Sequence, residues 1–209
     1  MVLASGVSAS GFDDAMLAFE NRDFDRALAI IEPVARSGSP AAVTLLGRIW
    51  DEGYHDPARA LPYYRQAAEK GYADAQVQLA ELYDAGDGVP RDMDAAIRWY
   101  EKAAKQGHEE AQVALGLHYS EDLNDNLSAL DYFLQAADQG NATAQYRLGL
   151  IYLGDPSIPR DDIKSWLYFS LAAERMPESD EARSALELNM TPELISKARQ
   201  ALAGWLSAH

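Results

Sequence analysis

Cysteine is absent from this 209-residue chain, which excludes a disulfide framework, thiolate zinc sites, iron–sulfur clusters and a cysteine nucleophile. The compartment stays open, because periplasm and cytosol both accept a chain without Cys. Long apolar runs are missing too. The longest stretch free of Asp, Glu, Lys and Arg is the opening twelve residues, MVLASGVSASGF, far short of the roughly 20 a membrane-spanning helix needs, so no membrane insertion is expected. Basic residues are scarce: 18 Lys and Arg stand against 33 Asp and Glu, a net charge of −15, and that field repels nucleic-acid phosphates and anionic lipid alike. No Walker A loop, dinucleotide-type glycine turn, H-E-x-x-H or G-x-S-x-G occurs. His55, His108, His118 and His209 show no ligand spacing, so neither a metal site nor a cofactor is expected. Gly86-Asp87-Gly88 reads as a turn between helices rather than a phosphate loop, and His108-Glu109-Glu110 and Asp84-x-x-Asp87 read as solvated helix ends.

What is present is repetition. Ala42-x-x-x-Leu46-Gly47-x-x-Trp50 recurs as Ala75…Leu79-Ala80…Tyr83, Ala111…Leu115-Gly116…Tyr119 and Ala144…Leu148-Gly149…Tyr152, at intervals of 33, 36 and 33 residues. A second block follows each: ALPYYRQAA (60–68), AIRWYEKAA (96–104), ALDYFLQAA (129–137) and SWLYFSLAA (165–173). Apolar or small residues at i, i+4, i+5 and i+8, or at i, i+3, i+4, i+7 and i+8, mark both blocks as helices. The distance from the aromatic to the first Ala of the pair is 17, 20, 17 and 20, whereas Ala67, Ala103 and Ala136 each precede the next block by 8. The joint between repeats is therefore rigid, and the loop inside a repeat takes up the insertions, as in stacked helical hairpins. Gly47, Gly116 and Gly149 cost about 1 kcal/mol each inside a helix, and Ala80 at the same place shows that the requirement is smallness at a helix crossing. Gly71, Gly107 and Gly140 suit a left-handed position after the second helix. Asp56 with Pro57, Asp92 and Asp161 suit its start.

The resulting organisation has a flexible start at 1–11, a degenerate helical hairpin at 12–40, four repeats within 41–175 (about 41–73, 74–108, 109–141 and 142–176), and capping helices at 177–209. Val7-Ser8-Ala9 before Ser10 looks like the cleavage region of a secretory signal, although the basic and apolar regions that should precede it are missing. Read as a signal remnant it places the protein in the periplasm or outside the cell. Read as an ordinary flexible start it leaves the cytoplasm as the alternative.

The pattern A-x-x-x-L-G-x-x-Y, G-x-G-V-x-x-D, A-x-x-W-Y-x-K-A-A-x-x-G resembles the Sel1-like repeat family, relatives of the tetratricopeptide repeats. Ala75 to Gly107 carries it most fully, with Gly86-Asp87-Gly88-Val89-Pro90-Arg91-Asp92 and Trp99-Tyr100-Glu101-Lys102-Ala103-Ala104. The resemblance implies an all-α, right-handed α-solenoid of antiparallel helix pairs, serving as a non-catalytic scaffold or adaptor for a protein or peptide, in a chain that reads as bacterial. A dedicated inhibitor or immunity protein is the alternative. A β-lactamase-type hydrolase is a distant one, since the members so described carry disulfides that this chain cannot form.

The resemblance also implies that the first helix of each pair lines the binding surface. Its non-repeating positions give the candidate site: Arg48, then Gln78, Glu81 and Asp84, then Leu117 and Glu121, then Tyr146, Arg147, Leu150 and Leu153, with Thr44, Asp51 and Ala114 beside them. The second repeat is acidic there, and the later ones turn apolar. Such a surface fits a segment with one greasy face and basic flanks. The other reading has Leu117, Leu150 and Leu153 packed beneath the C-terminal helix. No particular oligomeric state is implied.

Overall fold

Four aspartates start the second helix of the four repeated pairs. Asp56 accepts from Arg59 N at 3.0 Å, Asp92 from Ala95 N at 2.9 Å, Asp125 from Ser128 N at 3.1 Å, and Asp161 from Ile163 N and Lys164 N at 3.1 and 3.0 Å. Each satisfies amides that a helix N-terminus leaves without a partner. The backbone N–H of the same four residues donates to the carbonyl of the aromatic that ends the repeat's first block: Asp56 to Trp50 (2.8 Å), Asp92 to Tyr83 (2.9 Å), Asp125 to Tyr119 (2.7 Å) and Asp161 to Tyr152 (2.9 Å). One pair of anchors thus closes both loop lengths.

The computed structural model describes residues 7–209, with side chains from residue 11 onward. Among the described residues every regular element is helical, and the chain divides into two compact units, Met1–His108 and Glu109–His209. The first contains α1 (Val7–Glu20), α2 (Phe24–Ala35), α3 (Pro40–Arg48), α4 (Pro57–Glu69), α5 (Ala73–Ala85) and α6 (Met93–Ala104). The second contains α7 (Glu109–Leu117), α8 (Asn126–Asp138), α9 (Ala142–Gly154), α10 (Asp162–Ala172), α11 (Pro177–Glu187) and α12 (Pro192–Ala208). Within each unit the helices pack in consecutive pairs, and α11 and α12 both lie on α10. Of the flexible start expected at 1–11, residues 1–6 lie outside the described residues. From Val7 onward the chain belongs to α1, which includes the Val7-Ser8-Ala9 run.

The two short loops solve their geometry with a widened last turn. After α3 and α7 the chain runs into π-helical turns, Ile49–Gly53 and His118–Asp122, closed by Tyr54 N to Ile49 O and Leu123 N to His118 O at 3.1 and 3.2 Å. His55 (φ 56°) and Asn124 (φ 51°) then reverse the chain into the capping aspartate. The two long loops, after α5 and α9, tuck an aliphatic side chain inward, Val89 against the first unit's core and Ile158 in the second's. Each long loop also reaches the start of the preceding pair's second helix. A Cβ on Gly88 would come within 2.5 Å of Ala58 N, and Asn126 donates to Asp155.

Smallness at the crossings has a direct cause. A Cβ on Gly47 would lie 2.7 Å from the Tyr64 ring, and on Gly116 or Gly149 it would lie 2.5 Å from the rings of Phe133 or Phe169. The joints rest on the paired alanines: Tyr72 N and Asn141 N reach back to the carbonyls of Ala67 and Ala136, with Gly71 and Gly140 at φ 87° and 91° between them. A buried glutamine adds a further tie, Gln76 Nε2 to Ala68 O and Gln145 Nε2 to Ala137 O, both 3.2 Å. At the fourth joint Met176 replaces the glycine. Its extended φ of −131° ends the repeat register and turns the chain into α11.

Candidate protein-interaction face

In the first unit the open side of α3 and α5 is narrow, because Ala42 to Gly47 are all buried. Thr44 belongs to this covered set, and its hydroxyl donates to Pro40 O at 2.8 Å. Arg48 is the first side chain to emerge. Its guanidinium grips Glu52 through Nε–Oε1 at 2.6 Å and Nη2–Oε2 at 3.3 Å, and lies 4.7 Å from the centre of the Phe19 ring. That carboxylate holds the guanidinium protonated above its ordinary value.

Beside it, the fully buried Tyr64 points its hydroxyl at Asp51 Oδ2 (3.3 Å) and Gln78 Oε1 (3.2 Å), and Gln78 Nε2 donates to Glu81 Oε2 at 2.8 Å. Burial pushes the Asp51 carboxyl up, against the opposing pull of the Tyr64 hydroxyl. Burial and the Asp51 charge raise the Tyr64 phenol well above its usual range. Glu81 is exposed, and Asp84 is half-buried and faces Arg91 Nη2 at 3.6 Å. Four of the expected residues of this unit, Arg48, Gln78, Glu81 and Asp84, therefore lie on a polar surface together with Asp51, and Glu52 is added to it.

The second unit treats its expected residues differently. Leu117 is half-buried against the cluster built on Phe133, Leu148 and Tyr152. Tyr146 and Leu153 belong to the cluster of Trp166, Phe169, Leu186, Met190 and Ala198 that lies under α12, with Tyr146 5.8 Å from the Phe169 ring. These three are half-buried in packing, and Leu153 lies as the alternative reading has it, in the cluster shared with α12. Leu150, 38% exposed, keeps an open side, and Arg147 pairs with the exposed Glu121.

Two signals for the polar network were present in the sequence. Arg48 and Glu52 stand at i,i+4, the spacing of a helical ion pair. The ring opposite the crossing residue is Tyr64 and Tyr100 in the first two repeats but Phe133 and Phe169 in the last two, and a buried phenol needs a partner that a phenyl ring does not.

A family model described as "Sel1 repeat" matches residues 40–72, 73–108, 109–141 and 142–175. The chain belongs to the Sel1 repeat family. Solved structures carry the same fold. A Sel1 repeat protein from Oxalobacter formigenes is 27% identical and superposes with a TM-score of 0.73, covering 80% of this chain and 72% of that one. The protein c5321, described as a protective antigen present in uropathogenic Escherichia coli strains displaying an SLR fold, is 25% identical with a TM-score of 0.56. That match covers 96% of this chain and 53% of c5321, so the present Sel1 protein spans about half its length. The immunity protein Pa5087 from Pseudomonas aeruginosa, 19% identical with a TM-score of 0.56 over 98% of this chain and 86% of that one, shares the fold alone. No curated protein matches significantly. Sel1 repeats form α-solenoid scaffolds typical of protein–protein interaction. Among the described residues no three His, Asp or Glu side chains converge as metal ligands, and no helix is long and apolar enough to cross a membrane.

Proposed function

We propose that this Sel1 repeat protein is a non-catalytic binding scaffold that holds a protein partner through cationic groups laid against Asp51, Gln78, Glu81 and Asp84 of the first unit. Arg147 and Leu150 are the contact residues of the second unit. The observation that carries this reading is the chain of hydrogen bonds from Tyr64 through Gln78 to Glu81. It fixes carboxylates at the surface ahead of binding, which lowers the ordering cost of association. Asp51 supports it, since a carboxylate kept half-buried against its own desolvation is retained at a cost to stability. Neutralisation of one toxin or enzyme is a special case of the same scaffold.

The test is capture of the partner by the tagged protein and by two variants. Glu81→Lys should weaken capture mostly at low salt, where charge steering counts, and Leu150→Glu should weaken it at all salt concentrations. Neither should change helix content, because both side chains are exposed. Undiminished capture by both variants contradicts the reading.

A further inference from the structure

The third repeat, residues 109–141, contains seven Asp and Glu and no Lys or Arg. Two of its leucines stand in water: Leu123, just after the π-helical turn, is 54% exposed, and Leu127, in the first turn of α8, is 59% exposed. One helical turn beyond Leu127 on α8 comes the exposed Asp131, and Gln135 and Asp138 continue that stripe.

The repeat geometry does not force this exposure. At the equivalent places in the first repeat stand Tyr54 and Ala58. Tyr54 packs on Trp50 and Phe24, ring centroids 4.9 and 6.4 Å away, and donates to Asp25. Ala58 lies under the long loop at Gly88. In the third repeat the corresponding loop of the fourth is held by Asn126 instead, through Asp155, and Leu127 is left open.

We propose that Leu123 and Leu127, with Asp131 on the same stripe, form a second docking surface, and that its occupant is a basic protein segment carrying aliphatic side chains between Lys or Arg residues. The charge decides among occupants. A second copy of this chain brings −15 against an acidic stripe, and an anionic bilayer is repelled for the same reason, whereas a cationic segment is steered in and its aliphatic groups cover the leucines. This surface stands independently of the face on α3 and α5.

The test titrates the full-length protein with a labelled synthetic peptide of leucines and arginines at helical spacing, and with its counterpart bearing glutamates for arginines. The arginine peptide should bind. The double variant Leu123→Ser, Leu127→Ser should weaken it about tenfold or more, the effect of losing roughly 1.4 kcal/mol of apolar contact, with an unchanged melting temperature. Asp131→Lys, at an exposed position, should weaken it mainly at low salt, and Glu81→Lys should leave it unaltered. The proposal is overturned if the glutamate peptide binds equally well, or if Glu81→Lys abolishes binding while the serine variant does not. It is also overturned if the leucines are found to serve self-association, seen as a dimer that the serine variant dissociates, or attachment to anionic vesicles.

Discussion

Phe133 has no exposed surface, and it presses on Gly116 so closely that even a methyl group would sit 2.5 Å from the ring. Replacing Gly116 by Leu therefore forces two helices apart, and should destabilise the protein by about 1–3 kcal/mol through overpacking. Chemical denaturation checks this, and unchanged stability would show that α7 and α8 do not cross there. The crossing glycines were legible because they recur in the sequence beside Ala80, which limits the requirement to small size. Leu117 and Leu150 were not separable in the same way, since both occupy one column of the repeat and both are apolar. Their fates differ because Leu117 meets the Phe133 cluster while Leu150 keeps 38% of its surface open. A glutamate at 117 would carry a charge into that cluster, so Leu117→Glu reports on folding and Leu150→Glu on recognition.

The second helix of each of the four repeats begins at an aspartate that also closes the loop before it, and this dual role fixes where insertions can go. Asp161, which accepts from two amides, should lose about 1 kcal/mol of stability on replacement by Ala and recover most of it as Asn, because Asn keeps the accepting oxygen. Equal stability of the Ala and Asn variants in urea would contradict a capping role. The spacing of 17 or 20 residues located the slack, and three of the four caps were readable from Asp beside Pro or at the loop's end. Asp125 was missed because Asp122, Asn124 and Asn126 crowd the same stretch with equally plausible caps. Its carboxyl lies below the usual carboxylate range, held by the Ser128 hydroxyl and backbone, so that cap persists at neutral pH and is lost only as the pH falls through this lowered value. The π-helical turns were not legible. They arise from a backbone bond one residue longer than the α-helical one, together with positive φ at His55 and Asn124, and Asn is only weakly diagnostic of that conformation.

Across the whole molecule, repetition determines the fold, and departures from repetition supply the residues of the proposed face. The alanine pairs, crossing glycines and buried glutamines recur because every joint needs them, and the family and its all-helical architecture followed from those columns. Of the candidate face, the sequence names Glu81 and Asp84, which lie exposed and half-buried on the first unit, while the partial burial of Tyr146 and Leu153 in the cluster with α12 depends on how the chain after Met176 folds back and leaves no mark in the repeat columns. On the proposed reading the open side of α3 and α5 receives the partner. Hydrogen exchange of the full chain, alone and with the captured partner bound, tests it most directly. Added protection is expected in the segments Arg48–Gly53 and Gln78–Ala85; protection confined to α8 or to α12, or absent from both segments, would show that the partner binds elsewhere.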